Sequence, residues 1–352
     1  MSITFTHETL PQRVVFASGQ AARHVAAEVA RLGSRPMVIA AEADSRLAEP
    51  ILAVLPGAAR HADVVMHVPV EIAERARKAA AEYGADVLVS VGGGSTTGLA
   101  KAIALTTGLP IVAVPTTYAG SEATDVWGLT QGERKTTGQD AKVLPRSVVY
   151  DAGLLVSLPV ELSVASGLNA VAHCVDSMWA PRADPINRAL ALEGIRALSA
   201  GLPEVVRSPR ELGGREQTLY GAYLAAVAFA SARSGLHHKI CHVLGGMYNL
   251  PHAQTHAVVL PHVLVLNAPA VPELERRLAD AFGAATASGG LQSLREQIDA
   301  PRALRDYGLR EADIPAAVEA VLAAAPSGNP TPVNADNLAE LLRHAWAGQE
   351  PK

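Results

Sequence analysis

Short apolar β-type runs alternate with Ala-rich stretches through the first 150 residues, and this alternation constrains the fold more than any other feature. Three Ala-rich stretches (20–33, 71–84 and 97–108) each end in glycine, a common helix stop. Strands and helices in alternation form βαβ units, whose parallel sheet is covered on both faces. The predicted strands are RVVFA (13–17), MVIAA (37–41), DVVMHV (63–68), DVLVSV (86–91), IVAVP (111–115) and SVVYD (147–151).

The pattern changes after about Leu158, where β-type runs stop and the apolar spacing becomes helical. We therefore predict a Rossmann-like α/β domain in residues 1–157, followed by an all-helical domain in residues 158–352. Surface loops are expected at 287–290 and 325–337, which are rich in Gly, Pro, Ser and Asn. The predicted helices of the second domain cover residues 161–180, 185–202, 215–232 and 271–285.

Composition argues against several classes of protein. The net charge of −4 offers no basic face, so neither nucleic acid nor an anionic membrane is expected as a partner. No apolar run is long enough to cross a bilayer, and the N-terminus lacks the pattern of a secretory signal. The two cysteines, Cys174 and Cys241, cannot form a disulfide framework, which favours a reducing cytoplasm.

The stretch VLVSVGGGSTTGLAKAIA places three glycines between a buried strand and a helix that opens near Ser95. Glycine lets the backbone approach a ligand closely, and a helix start presents unpaired N–H groups. The combination favours a phosphate or pyrophosphate, with an empty tight turn as the alternative. A second strand end, IVAVPTTYAGSEAT, should lie at the same edge of the sheet, where open α/β sheets bind ligands. Its polar or glycine positions are Thr116, Thr117, Gly120 and Ser121.

Six of the twelve histidines lie between residues 236 and 262, far more than packing alone explains. His238 and His242 are four residues apart and share a helix face, and the same holds for Asn169 and His173. Converging imidazoles suit metal binding or proton transfer. His252 begins a further helical segment and is the last candidate for the cluster. A structural role is equally open for His237, His256 and His262.

In combination these motifs resemble the iron-containing alcohol dehydrogenase family over nearly the whole chain. The shared features are GGGS after a strand, PTT-x-x-GSE, Asx-x-x-x-His, and His-x-x-x-His with another histidine ten residues on. The stretches GGGSTTGLAKAIAL, PTTYAGSEATDVWGLT and HHKICHVLGGMYNLPHAQTHAVVLPHV most resemble the maleylacetate reductase subgroup. The resemblance implies the architecture of dehydroquinate synthase-like enzymes, an active site in the cleft between the domains, and a homodimer.

The resemblance also implies residue roles for the cofactor. Exposed acids after the strand at 37–41, Glu42 and Asp44, favour NADH over NADPH, because an acid there can bind the ribose 2′-hydroxyl. NADPH is expected to be tolerated. The cofactor-binding residues are expected to be Gly93, Gly94 and Ser95 at the pyrophosphate, Thr116 and Thr117 near the nicotinamide, Ser121 in the same loop, and Lys135.

Two positions depart from the wider family, and one of them concerns the metal. The positions of its four metal ligands correspond to Asn169, His173, His238 and His252, so an amide replaces the usual carboxylate. An amide and three neutral imidazoles leave the charge of a divalent ion uncompensated, so we expect no stably bound catalytic metal. Gly98 also stands where most relatives have an acidic residue.

The expected activity is NAD(P)H-dependent reduction of the conjugated C=C bond of maleylacetate to 3-oxoadipate, in the breakdown of aromatic compounds. His242 or His238 would supply the proton, and His173 and His252 would shape the anion site as imidazolium groups. Tyr118 and Lys239 are weaker candidates. The alternatives are a metal-dependent alcohol or hydroxyacid dehydrogenase, an enzyme for another unsaturated or keto acid, and a nucleotide-binding protein without catalysis.

Overall fold

The computed structural model describes residues 4–132 and 134–351, except for the side chains of Arg134 and Lys135. The chain forms two compact units, one of residues Leu10–Leu158 and one of Pro159–Lys352 together with the N-terminal residues up to Thr9. The α/β unit therefore begins at Leu10 and not at the first residue. The N-terminal segment belongs to the helical unit because His7 Nδ1 lies 2.8 Å from Asp184 Oδ2.

A parallel sheet is the centre of the first unit. Its strands are β1 (Arg13–Phe16), β2 (Pro36–Ile39), β3 (Ala59–His61), β4 (Val87–Gly92), β5 (Ile111–Pro115) and β8 (Ser147–Tyr150). They lie in the order β1-β8-β5-β4-β2-β3, and every pair is parallel. Strands β2, β4, β5 and β8 are buried along their whole length, as their Val-rich runs predict for a covered parallel sheet.

The helices of this unit are α1 (Ala21–Leu32), α2 (Ser45–Ala53), α3 (Val70–Tyr83) and α4 (Gly94–Thr107). Val25 of α1 and Ile51 of α2 share a core with Val89 of β4 and Val112 of β5. Helix α4 packs against β4 and β5. The strand–helix alternation of the sequence thus produces the predicted α/β architecture.

Three local features differ from the prediction. The strand expected at 63–68 is wrong, because the third strand is β3; Met66 is 64% exposed, and His67 and Val68 have positive φ. Helix α2 was not predicted. An antiparallel hairpin of β6 (Val126–Gln131) and β7 (Arg134–Gln139) was also missed, since its strands are rich in Thr, Gln and Gly.

The second unit is helical, as predicted. Its helices are α5 (Val160–Ser177), α6 (Pro185–Arg207), α7 (Leu212–Ala232), α8 (Leu236–Tyr248), α9 (His252–Asn267), α10 (Pro272–Phe282), α11 (Ala287–Gln297), α12 (Ile314–Ala324) and α13 (Ala335–Ala347). Helix α5 packs on α6, α7 and α9, and α8 packs on α9. These contacts bring the histidine-bearing helices α5, α8 and α9 together.

Residues 287–290 are the first turn of α11 and not a loop. The Thr286 side chain accepts a hydrogen bond from the Gly289 N–H at 3.1 Å, which caps this helix start despite two glycines. The predicted loop at 325–337 ends at Asn334, the N-cap of α13. In the described part of the chain, no helix is both long and apolar enough to span a membrane.

Candidate functional site

Strand β4 ends in a turn that requires glycine. Gly92 has a φ of +153°, and a Cβ atom there would overlap Thr96 Oγ1 and lie 3.0 Å from the Asp44 carboxylate. Asp44 is therefore packed against the turn, and burial raises the pKa of its carboxyl. Glu42, the other predicted acid, is exposed and pairs with Arg60 at 2.9 Å. Of the two acids, Asp44 is the one placed at the glycine-rich turn.

The turn leads directly into the N-terminus of α4. Gly93 is the N-cap, and no side chain caps the helix, so the positive end of α4 is open to an anion. A Cβ atom at Gly93 would lie 3.0 Å from Thr117 Cγ2, and one at Gly94 would lie 3.7 Å from Ala119 Cβ. The loop after β5 therefore lies beside the turn. The arrangement can hold a pyrophosphate through backbone N–H groups.

Most of the residues predicted to bind the cofactor meet here. Gly93, Gly94 and Ser95 form the helix start and Thr117 lies beside it. Thr116 is next to them, because its N–H donates to the Gly92 carbonyl at 3.1 Å. The structure does not describe the side chain of Lys135, so its predicted role lies outside the described residues.

A buried lysine that the sequence did not single out fixes the second loop. The Lys101 ammonium donates to the carbonyls of Ser121 (2.6 Å), Thr124 (2.8 Å) and Val126 (2.8 Å). Burial lowers its pKa to about 7, although Glu122 and Asp125 favour the charged form. Ser121 thus contributes its carbonyl to this lysine. Lys101 thereby joins α4 to the loop that carries the predicted cofactor residues.

Gly98 lies in α4, close to the side chain of Val68. A Cβ atom at Gly98 would lie 3.0 Å from Val68 Cγ2. An acidic side chain therefore could not be added unless Val68 moved. The segment that was wrongly predicted as a strand supplies this contact.

The helical unit gathers the histidines. We call His173, His238, His242, His252 and His256 the histidine cluster. The His238 ring centroid lies 4.9 Å from that of His173, 4.7 Å from His256 and 6.1 Å from His242. The His252 centroid lies 4.3 Å from His256 and 6.3 Å from His242. All four predicted histidines are therefore close together, and His256 joins them.

Asp176 is a buried member of this site that the sequence did not reveal. Its Oδ2 accepts hydrogen bonds from His238 Nδ1 (2.7 Å), the Gly235 N–H (3.0 Å) and the His238 N–H (3.3 Å). Burial raises the pKa of its carboxyl to about 7, while the backbone N–H groups act in the opposite direction. Asn169, His173 and Asp176 stand at i, i+4 and i+7 of α5, a spacing that could have identified it.

Burial also sets the charge of the histidines. It lowers the pKa of His173 to about 3 and that of His238 well below its ordinary value, and nearby imidazoles add to both effects. Burial therefore favours the neutral form of both side chains. The role of His173 in shaping the anion site stays a prediction.

Behind the cluster, His237 hydrogen-bonds to His256, with 2.9 Å between His237 Nε2 and His256 Nδ1. Cys241 Sγ lies 3.7 Å from the same His237 nitrogen. The potential ligand atoms of His237, Cys241 and His256 lie within 4.8 Å of one another, close enough for the three side chains to share a metal ion. Burial raises the pKa of the Cys241 thiol well above its ordinary value. The geometry is that of a hydrogen bond that orients His256.

Five buried polar atoms of this site have no hydrogen-bond partner among the described residues. They are Asn169 Oδ1, His173 Nδ1, Asp176 Oδ1, His238 Nε2 and His256 Nε2. Leaving buried polar atoms unpaired is costly, so such a group indicates a site built for a ligand. Phe229 of α7 covers one side of it, with ring centroids 4.7 Å from His173 and 4.2 Å from His238.

The other candidates lie elsewhere or have other roles. Tyr118 is fully buried in the α/β unit, and Lys239 is half-buried on α8. His262 lies further along α9 near Arg295, and burial, together with that charge, lowers its pKa to about 3. It is therefore a core histidine.

Both units match models of one family. Residues 11–152 match the model "Iron-containing alcohol dehydrogenase", and residues 163–346 match "Fe-containing alcohol dehydrogenase family, C-terminal". "Maleylacetate reductase 2" of Cupriavidus pinatubonensis is 48% identical over 347 residues, which cover 97% of this chain and 96% of that protein.

Solved structures agree with these sequence matches. An iron-containing alcohol dehydrogenase from Corynebacterium glutamicum has a TM-score of 0.98 and 58% identity, covering 100% of this chain and 99% of that chain. A maleylacetate reductase from a Rhizobium strain has a TM-score of 0.93 and 42% identity, covering 99% of each chain. The predicted fold and the family resemblance are thereby confirmed.

Proposed function

Because the chain belongs to the iron-containing alcohol dehydrogenase family, we propose that it is the member that reduces maleylacetate to 3-oxoadipate with NAD(P)H. Relatives named maleylacetate reductase that match over nearly the full length support this substrate. The observation that carries the proposal is a group of five buried polar atoms, on Asn169, Asp176 and three histidines of the cluster, that have no partner among the described residues. A small polar substrate can satisfy such atoms, whereas a nucleotide-binding protein without catalysis has no use for them.

The reaction needs one hydride and one proton. Hydride adds to the alkene carbon β to the ketone, and the displaced electron pair moves to the ketone oxygen and forms an enolate. That enolate needs hydrogen-bond donors and a proton donor. The proposal assigns the proton to His238 or His242, while His173 and His252 shape the pocket for the substrate.

The family name implies iron, and the residues of this chain fit it poorly. Asn169 offers a neutral amide oxygen in place of a carboxylate. The rings of His173 and His238 are stacked, with an angle of 15° between their planes. Metal–imidazole bonds lie in the ring plane, so two stacked rings do not direct lone pairs at one ion. The proposal therefore retains a catalytic site without a stably bound metal.

The test is oxidation of NADH with freshly generated maleylacetate, measured before and after treatment with a strong chelator, beside metal analysis of the protein. Turnover is expected to survive chelation, with metal well below one ion per chain. Activity that is lost and then restored by iron or zinc would keep the substrate and overturn the metal-free site. Intact cofactor binding with no maleylacetate turnover would overturn the substrate.

Asp44 is the basis for proposing NADH as the preferred cofactor. Its carboxylate lies at the glycine-rich turn, where it can accept from the ribose hydroxyls and would repel a 2′-phosphate. We expect kcat/KM to be at least about tenfold higher with NADH than with NADPH, a difference of about 1.4 kcal/mol. Asp44→Asn should narrow that ratio, and Glu42→Gln, at the exposed acid, should leave it unchanged. Equal use of both cofactors by the unaltered protein would contradict this role.

Two further proposals concern assembly and location. The family resemblance indicates a homodimer, and the two free cysteines, Cys174 and Cys241, favour a reducing cytoplasm. Light scattering of the purified protein tests the dimer. Nucleic acid is not proposed as a partner, because the net charge is −4.

A further inference from the structure

We propose that Lys101 is a positioning residue for the nicotinamide half of the cofactor. Residues 116–125, which follow β5, are called the cofactor loop. The Lys101 ammonium holds this loop against α4, so that Thr116 and Thr117 keep their places beside the glycine-rich turn. Lys101 is 1% exposed, so it acts through the loop and does not touch the cofactor itself. The inference rests on the cofactor site of the proposed function and not on maleylacetate as the substrate.

Four oxygen atoms surround the Lys101 ammonium. Besides the carbonyls of Ser121, Thr124 and Val126, the Thr124 hydroxyl accepts from Lys101 Nζ at 3.0 Å. An ammonium has three hydrogens, so each of them has an acceptor. Hydrogen bonds from a charged donor are stronger than those between neutral groups, and a buried polar group left unpaired is costly. This one side chain therefore holds the far end of the cofactor loop and the start of β6 in place.

The position of Lys101 on α4 connects the two ends of the cofactor loop. Lys101 follows Gly94 by seven residues, which is about two helical turns, so both residues lie on the same face of α4. A Cβ atom at Gly94 would lie 3.7 Å from Ala119 Cβ, in the first half of the loop. One face of α4 thus contacts the loop near its beginning at Gly94 and near its end at Lys101.

The middle of the cofactor loop is fixed from another direction. The chain turns at Gly120, which has a φ of +77°. The carboxylate of Glu122 accepts from the Tyr150 hydroxyl at 2.8 Å, and the Glu122 carbonyl accepts from Gln12 Nε2 at 2.8 Å. These bonds hold the loop to the sheet, whereas Lys101 holds it to the helix whose start is proposed to bind the pyrophosphate. Lys101 thereby couples the proposed pyrophosphate and nicotinamide regions of the site.

A comparison of NADH with ADP separates positioning from general support of the fold. ADP carries the adenosine and the diphosphate but no nicotinamide. Loss of the Lys101 ammonium should therefore weaken the binding of NADH and leave the binding of ADP nearly unchanged, since Gly93 and Gly94 remain in place. A residue that only supports the fold would lower the melting temperature and change both affinities by the same factor, or neither.

Lys101→Met keeps the length of the side chain and removes its charge and its donors. We expect the Kd for NADH, measured by fluorescence titration, to rise by at least about tenfold, the factor that corresponds to one lost hydrogen bond from a charged group. The Kd for ADP, measured by calorimetry, should change little. Lys78→Met is the matched control, because Lys78 lies on α3 of the same unit with 77% of its side chain exposed. It should leave both affinities unchanged.

Thr124→Val decides the question if Lys101→Met does not fold. Valine has the shape of threonine, and only the hydroxyl that accepts from Lys101 is lost. The ratio of the NADH Kd to the ADP Kd should rise in this variant too, by a smaller factor than in Lys101→Met. A ratio equal to that of the unaltered protein, in Lys101→Met or, where that variant does not fold, in Thr124→Val, would overturn the proposal.

These binding measurements contain no maleylacetate, so their result is independent of the proposed substrate. An unaltered protein that reduces maleylacetate, together with an unchanged ratio in Lys101→Met, would keep the proposed function and overturn this inference alone. A raised ratio in a protein that does not reduce maleylacetate would overturn the substrate and support the role of Lys101. No binding of NADH to the unaltered protein would overturn both.

Discussion

Replacement of His238 by glutamine is expected to lower kcat for maleylacetate reduction by about 10²–10⁴-fold, the usual contribution of a general acid. Glutamine is of similar size and forms hydrogen bonds, but it cannot exchange a proton. His242→Gln is the matching variant, because His242 lies on the same face of α8 with its ring 6.1 Å from that of His238. The hydrogen bond to Asp176 leads us to expect the larger loss at His238.

The control for this series is His24→Gln, at a half-buried histidine on α1 in the other unit. It should retain the kcat of the unaltered protein. The affinity for NADH should change little in any of the three variants, because the predicted cofactor residues lie around α4. Full turnover in both His238→Gln and His242→Gln would exclude the histidine cluster as the source of the proton.

Two patterns in the sequence were enough to predict the parallel sheet and the grouping of the histidines. Strand–helix alternation predicted the parallel sheet, because parallel strands need a crossover and a covered sheet needs apolar strands. The i,i+4 pairs predicted which histidines share helix faces. Both signals are local. The hairpin of β6 and β7 was missed because its local pattern is polar. Within the hairpin, Trp127 lies over Gly138, where a Cβ atom would be 2.6 Å from the indole ring. This need for glycine becomes visible only when the two strands are paired.

The residues that sequence reasoning missed act through contacts between distant segments. Asp176 meets the start of α8 about sixty residues later in the chain. Its spacing places it on the same helix face as Asn169 and His173, but that spacing does not predict the contact with α8. Lys101 looks like an ordinary solvated lysine, yet it is buried on a helix with apolar neighbours on every side. The only local indication that Lys101 points inward is that α4 is apolar on all its faces, which is typical of a buried helix. Ring stacking at His173 depends on side-chain rotamers, which no spacing determines.

Gly92→Ala is expected to raise the Kd for NADH by at least about tenfold. The added Cβ would overlap Thr96 Oγ1 and press on Asp44, so the turn must move, and such overpacking costs about 1–3 kcal/mol. A turn displaced by this change no longer presents the backbone of Gly93 and Gly94 to the pyrophosphate. Fluorescence titration with NADH measures the loss without any substrate.

Gly108→Ala is the matched control, because Gly108 ends the same helix with a φ of +70° and has open space around its Cβ position. Gly108→Ala carries the cost of an alanine in the left-handed region, about 1–2 kcal/mol of stability, and Gly92→Ala also places an alanine at positive φ. Only Gly92→Ala adds a collision at the predicted cofactor site. Equal losses of NADH affinity would mean that the glycines serve the fold alone, whereas a loss confined to Gly92→Ala would assign the turn to the cofactor.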